Sequence, residues 1–308
     1  MNQKIGIQFI AAFMILSMIL SSVAYFIGSD DSNEDDNYQP DINNPQTEYF
    51  NIGGKQVFHS FNSISDGLQM SNPQTYAAQF LDVEYIESTA PEPWNEQLPL
   101  NLTTVYVRNK TEVDNLYMTS SKQIYFAQDF NNEFLLLSTM TPKIISFDYI
   151  WLPSSDDQYQ YRFLSQIDTL GNIVGTNVMG EPTIFTPTRE SAEAVISIIE
   201  SYAVPPTAYD TFNHVLNYSD DHSEFQVVNS IVGFADLYYM GLHMNDDGSF
   251  TRTTIYYNPS VESTAHINEL ALSGLNRDFS QYDVTTEGDI LKVVLTGEFS
   301  LVTGEDIE

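Results

Sequence analysis

Apolar residues fall along this chain in three regimes. From Ile5 to Ile27 they run almost unbroken, IGIQFIAAFMILSMILSSVAYFI, with Gln8, Ser17, Ser21 and Ser22 as the polar side chains. Wound as a helix, that run would be roughly 35 Å long, enough to cross a hydrocarbon core. Its serine hydroxyls can return to backbone carbonyls one turn back, so no charge has to be buried. From Ser29 to Thr47 apolar residues nearly vanish, and Asp30, Asp31, Glu34, Asp35, Asp36 and Asp41 mark a solvated, extended spacer. From about Tyr49 onward they return in short periodic blocks, the pattern of a folded body.

Within the body, alternation predicts a strand over Gln56 to Phe61. Asn72-Pro73 then opens a predicted short helix, with Tyr76 and Phe80, and Ala77 and Leu81, recurring at i+4. The segment between them, SISDGLQM, fits neither period. Strands are predicted over Leu102 to Arg108, Lys122 to Ala127, Glu133 to Thr139, Lys143 to Leu152 and Tyr159 to Ile167, and Trp94 pins the proline-rich passage before them. Phe134-Leu135-Leu136-Leu137 is apolar on both faces and suits a central strand. Ile145, Phe147, Tyr149 and Trp151 share one face at period two, which predicts that this face meets the core. Gly171 to Gly180 reads as a glycine-punctuated connection.

Thr183 to Thr186 leads into Pro187, read as the first helical residue with Thr186 as its cap, and Ala192, Val195, Ile196 and Ile199 form the apolar stripe. Thr207 and Asp210 have the spacing of a capping pair for a further helix carrying Tyr209, Phe212, Val215 and Leu216. Glu224 to Asn258 turns to strand, with a two-residue hairpin turn at Asp247-Gly248 that sets Tyr239 opposite Tyr256. In that register Tyr238, Met240, Leu242, Met244, Ile255 and Tyr257 form the buried face. Val261 to Leu275 reads as a helix, and Ile290 to Val302 as a final strand or bulged pair of strands around Gly297.

These elements define an α+β chain: one N-terminal transmembrane helix, then a mostly antiparallel-sheet ectodomain with a few helices. The domain reading is a cytoplasmic terminus at 1–4, an anchor at 5–28, an acidic linker at 29–48, and two α+β halves at 49–155 and 156–308 divided at Pro153 to Asp157. Each half runs strand, proline-started helix, strand-rich stretch, a candidate duplication that pairs Pro73 with Pro187. The amino terminus and Lys4 precede the apolar run and a dense acidic stretch follows it. The basic side is therefore expected to stay cytoplasmic and the rest to be exported, N-in and C-out. Ser22-Val23-Ala24 before Tyr25 also supplies a signal-cleavage pattern, an alternative that equally leaves the body outside the cytoplasm.

Charge narrows the partners. Eleven basic against forty-two acidic residues give a net charge of -31. Self-repulsion on that scale is relieved in concentrated salt, which points to a salt-adapted archaeon or bacterium. Nothing basic is clustered to displace counterions from phosphates, so nucleic acid is excluded as a partner. The expected partners are the bilayer, through residues 5–28, and another envelope protein. Hydrophobic residues at 42% and aromatic ones at 13% require a real core. The absence of cysteine removes disulfides and thiolate chemistry.

Candidate chemistry is sparse. The histidines are His59, His214, His222, His243 and His266, in no HExxH or paired metal spacing. Asp220, Asp221, His222 and Glu224 form the densest polar cluster, able to hold a divalent cation or orient a base; such a run is also the composition of a solvated helix-to-strand turn. His59, between Phe58 and Phe61, reads as a hydrogen-bonded structural histidine. There is no GxSxG, SxxK, P-loop or GxGxxG, and no cofactor is expected. Sequons stand at Asn101, Asn109 and Asn217. The function expected is a non-enzymatic binding or assembly role at the cell envelope, the alternative a membrane-tethered hydrolase built on Asp220, His222 and Glu224.

Overall fold

Strands that are apolar on both faces must be covered on both faces, and in the computed structural model that requirement organises the molecule. The structure describes residues 54–89, 94, 101–131, 133–152, 160–201, 206–220 and 222–305. The strands are β1 (Val57–Phe58), β2 (Thr75–Asp82), β3 (Ser120–Asp129), β4 (Phe134–Thr141), β5 (Tyr149–Leu152), β6 (Phe163–Ile167) and β7 (Ile173–Val178). They continue as β8 (Gly180–Glu181), β9 (Thr183–Thr186), β10 (Phe225–Asn229), β11 (Leu237–Met244), β12 (Phe250–Tyr257), β13 (Gln281–Glu287) and β14 (Ile290–Gly297). The helices are α1 (Ile64–Gln69), α2 (Val83–Thr89), α3 (Asn101–Tyr117), α4 (Arg189–Glu200), α5 (Ala208–Leu216), α6 (Val261–Ser273) and α7 (Phe299–Gly304).

A 12-stranded sheet runs β13-β14-β12-β11-β10-β2-β3-β4-β9-β7-β6-β5, antiparallel at every step. β1 and β8 form a separate parallel pair. One face of the large sheet, carrying Leu81, Ile124, Phe126, Leu136 and Met240, packs with Ile86 of α2, Val113 and Leu116 of α3, Ile267 of α6 and Phe299 of α7. The opposite face, with Phe80, Tyr125, Leu137, Val228 and Tyr239, packs with Ile64 and Leu68 of α1, Ile196 of α4 and Phe212 of α5. The fold is thus α+β and mostly antiparallel, with helices on both sides of one sheet.

At the centre, β2 pairs with β10 over Leu81↔Phe225 to Ala77↔Asn229. On each side of this seam a short helix precedes the central strand and two antiparallel neighbours follow it outward: α1, β2, β3, β4 and α5, β10, β11, β12. The two helices meet, Ala208 N donating to Ser71 O at 3.1 Å. Gly67 lets α1 lie on the Tyr125 ring, where a Cβ would come within 2.3 Å of Cδ2. The ring is held there by its hydroxyl, 2.8 Å from Ser71 Oγ. The repeating unit that the geometry outlines differs from the one that pairs Pro73 with Pro187. Sheet pairing also crosses the expected division near 155, since β5 pairs with β6 and β4 with β9.

Several local expectations are corrected. The helix predicted after Pro73 is strand β2; Tyr76, Phe80, Ala77 and Leu81 are buried on both faces of the sheet, so their i+4 spacing carries no helical meaning. Leu102 to Arg108 is not a strand but part of α3, a helix continuing to Tyr117, with Val113, Leu116 and Tyr117 buried at i, i+3 and i+4. The ambiguous SISDGLQM forms α1, capped by Ser63 Oγ accepting from Asp66 N at 3.4 Å. Over 143–152 the only strand is Tyr149–Leu152, with Ile144 a single bridge residue before it; Ile145 and Phe147 are buried, whereas Trp151 is 50% exposed, with the Arg162 guanidinium over its ring. The glycine-punctuated connection contains β7, where Gly175 admits the Phe185 ring of a neighbouring strand.

The cap of α4 is Thr188, not Thr186, because Thr188 Oγ1 is the atom that accepts from Ser191 N at 3.2 Å. The capping box of Thr207 and Asp210 on α5 is as expected. The hairpin turn is one residue longer than expected. Asn245 N donates to Ser249 O at 2.8 Å and Gly248, at φ +83°, closes the turn. Tyr238 therefore pairs with Tyr256, and Tyr239 with Ile255. All four are buried, because both faces of this hairpin are covered. Finally, 290–302 is β14 followed by α7, and β13, unforeseen, is the edge beside β14. Among the described residues no helix is long and apolar enough to cross a membrane; Ile5 to Ile27, and the acidic linker, lie outside them.

Candidate functional site

The polar cluster singled out after α5 sits where β2, β10 and β11 end together at the central seam. Asp220 opens a turn: its Oδ1 accepts from His222 N at 3.0 Å and its carbonyl from the Tyr239 hydroxyl at 3.0 Å. The turn lies close over β11 because position 241 is glycine. A Cβ there would stand 2.4 Å from the Tyr239 oxygen and 2.6 Å from Ser223 Oγ. Asp221 lies outside the described residues, and His222 is exposed.

Glu224 behaves differently from its neighbours. At 3% exposure it stands where the β10–β11 ladder stops, one residue beyond the Phe225↔Leu242 pair. There its carboxylate takes over as acceptor: Oε1 receives the Met244 N–H at 2.6 Å and Oε2 lies 3.0 Å from His243 Nδ1. An ionised carboxylate only accepts, so with Glu224 ionised the contact is one in which His243 Nδ1–H donates. The His243 side chain is 30% exposed. The Tyr85 ring stands beside it, centroids 6.4 Å apart. Asp82 closes the cluster; its N–H donates to Glu224 O at 2.8 Å and its Oδ1 accepts from Tyr85 N at 2.9 Å, which starts α2.

Electrostatically this is a crowded acidic corner. Burial pushes the Glu224 carboxyl above the ordinary glutamate range, outweighing its backbone bonds and the pull of His243. Burial does the same to Asp82, against its bond from Tyr85, with Glu84 adding to the rise. Burial also raises the Tyr85 phenol, helped by Glu224, Asp246 and Asp82. Chemically, the arrangement can hold one proton between a carboxylate and an imidazole and present a ring nitrogen at the surface. It contains no group of three or more acidic or histidine residues disposed around a metal, and none occurs elsewhere among the described residues.

Sequence reasoning put His222 beside Glu224; the structure puts His243 there, with Tyr85 and Asp82. The β10–β11 register would have revealed it, since extending Phe225↔Leu242 by one residue brings Glu224 opposite His243. Of the other candidates, His59 Nδ1 lies 2.9 Å from Ser60 O on the half-exposed chain after β1. Among the sequons, Asn109 is 3% exposed and has no room for a glycan, while Asn217 is exposed at the end of α5. No family model, curated protein or solved structure matches the chain.

The raised Glu224 carboxyl has a definite stability consequence. As pH climbs through about 4.3 the unfolded chain releases this proton before the folded one, so stability falls from there up to the raised folded value and stays lowered above it. Glu224→Gln keeps an acceptor for Met244 N–H and abolishes the titration. Its melting temperature relative to the parent should climb as pH rises across that window, and a difference flat with pH would contradict the assignment. Glu224→Ala, which strands the amide, should cost about 1–3 kcal/mol below that window and less above it, because it too abolishes the titration.

Proposed function

We propose that the chain is a single-pass membrane protein of a salt-adapted prokaryote, oriented N-in and C-out, whose α+β ectodomain has a non-enzymatic binding or assembly role at the cell envelope. The observation that carries this reading is the uncharged stretch from Ile5 to Ser29, set between Lys4 and a run of acidic residues. The net charge of -31 supports exposure to concentrated salt and argues against nucleic acid as a partner. The helix-covered sheet supports it too, because the cores on both faces provide stability without disulfides.

The second reading, a tethered hydrolase, is favoured by one observation: buried Glu224 stands 3.0 Å from Nδ1 of a part-exposed imidazole, that of His243. Its seed shifts from Asp220, His222 and Glu224 to Glu224 and His243. Purified full chain assayed on ester, phosphoester and glycoside substrates should then show a turnover that His243→Ala removes; turnover equal to that of the variant eliminates this reading.

The leading reading is tested in intact cells. The full chain should float with membranes and resist extraction by alkali, a carboxyl-terminal tag should be cut by external protease, and pull-down in molar salt should retain an envelope protein. A soluble chain, or a tag protected inside the cell, contradicts it.

A further inference from the structure

The two edges of the sheet are dressed differently. β5 ends it at one side, with Trp151 beneath the Arg162 guanidinium. β13 ends it at the other, seven residues whose one strand partner among the described residues is β14. Between β13 and α6 lies an open groove of about 710 Å³, within the size range of sites that hold peptides and small ligands. On the strand side it touches Tyr282, Asp283, Val284 and Thr285 in succession. Consecutive strand residues point to opposite faces, so a groove that meets all four runs along the free backbone edge. On the helix side it meets Asn268, Glu269 and Leu272, and Leu272 is 87% exposed.

We propose that this groove takes up an extended polypeptide segment with alternating apolar and cationic side chains, which adds to β13 as a further strand beneath α6. This names the partner chemistry of the binding role proposed above and rests on that reading.

Three observations select the occupant. The free edge supplies backbone donors and acceptors of the kind that an incoming strand satisfies. Leu272 and the half-buried Val284 offer apolar contact to one set of its side chains. Asp283 and Glu287, at strand positions that alternate with Val284, point to the opposite face and offer the other set negative charge, and Glu269 adds charge on the helix side. The same charges argue against the alternatives. A second copy pairing β13 to β13 would face like charges, which destabilise cross-strand pairs. The chain's own segment at 29–48 is itself acidic.

The site is also rigid. Tyr282 is locked behind the groove by its hydroxyl bond to Glu305 at 3.0 Å, and Glu305 is held by the Arg277 guanidinium at 2.6 and 2.7 Å. Gly274 lets the turn after α6 close over the Tyr282 ring, where a Cβ would stand 2.4 Å from its carbons. A preformed wall spares a peptide the ordering that a mobile one would demand.

The test uses the full chain in lipid nanodiscs and a fluorescent valine–lysine alternating heptapeptide, titrated from molar salt down to the lowest salt at which circular dichroism shows the chain folded. Expected are saturable binding, amide-exchange protection gained over residues 281–287, and no binding of the valine–glutamate counterpart. The E269K/D283K double variant should bind about tenfold or more weakly, and E269Q/D283N, a milder pair with less risk to folding, should fall between. Four results would overturn the proposal: no binding, binding unchanged by charge reversal, protection gained elsewhere on the acidic surface, or the outward β13 amides, those not donated to β14, already protected without peptide. Flotation and protease accessibility read the anchor separately, so the groove can fail while the membrane assignment stands, and the reverse.

Discussion

The antiparallel pairing of β2 with β10 is the contact on which the remainder of the structure depends. It joins Thr75–Asp82 to Phe225–Asn229 across the middle of the chain, and four strands of the sheet lie beyond β10 and six beyond β2. Both strands are buried on both faces, so neither edge could be left to water without exposing a row of backbone groups and two apolar surfaces. Closing so long a loop is entropically expensive, though the cost grows only slowly with length. It is offset by the meeting of α1 and α5 on one face and by the continuous core beneath α2, α3, α6 and α7 on the other.

That arrangement gives physical content to the internal symmetry. A helix, a central strand and two outward neighbours are repeated on either side of the seam, and the helices touch where the two units meet. The units are not independent halves cut in the middle of the chain, because strands after residue 155 complete the sheet beside β4 and β5. The same geometry explains the polar corner: three strands that end together leave backbone donors behind, and Glu224 fills the place of a missing ladder partner. The pair it makes with His243 is first a structural solution, whatever chemistry it also permits.

Legibility in the sequence followed the kind of local signal each element carries. The helices α4, α5 and α6 have apolar stripes that were readable, β3 and β4, covered on both faces, showed as short apolar blocks, and the hairpin was marked by its Asp247-Gly248 turn; all stand near their expected positions. Where both faces are buried, period two disappears, and β2 took on an accidental helical spacing through Tyr76 and Phe80. Branched residues near the start of α3, Thr103, Thr104 and Val105 among them, imitated a strand. The hairpin missed its register by one residue because a longer turn with Gly248 at positive φ uses the same Asp-Gly pair. The Glu224 and His243 contact was hidden for the same reason, since long-range register is not written in local pattern. β13, short of apolar residues and rich in threonine, gave no core signal because it is an edge.

Charge and fold fit together in the proposed setting. An acidic surface surrounds a core that needs no disulfide, and the acidity is carried onto the edge strand and the helix beside it. The central claim, that one seam makes a single cooperative sheet, is tested most directly by native-state hydrogen exchange across a denaturant series. The account predicts that amides of β2 and β10 exchange in the slowest class, through the same global opening as those of β3 and β11. Early exchange at the seam, with the strands on its two sides opening at separate denaturant concentrations, would contradict it.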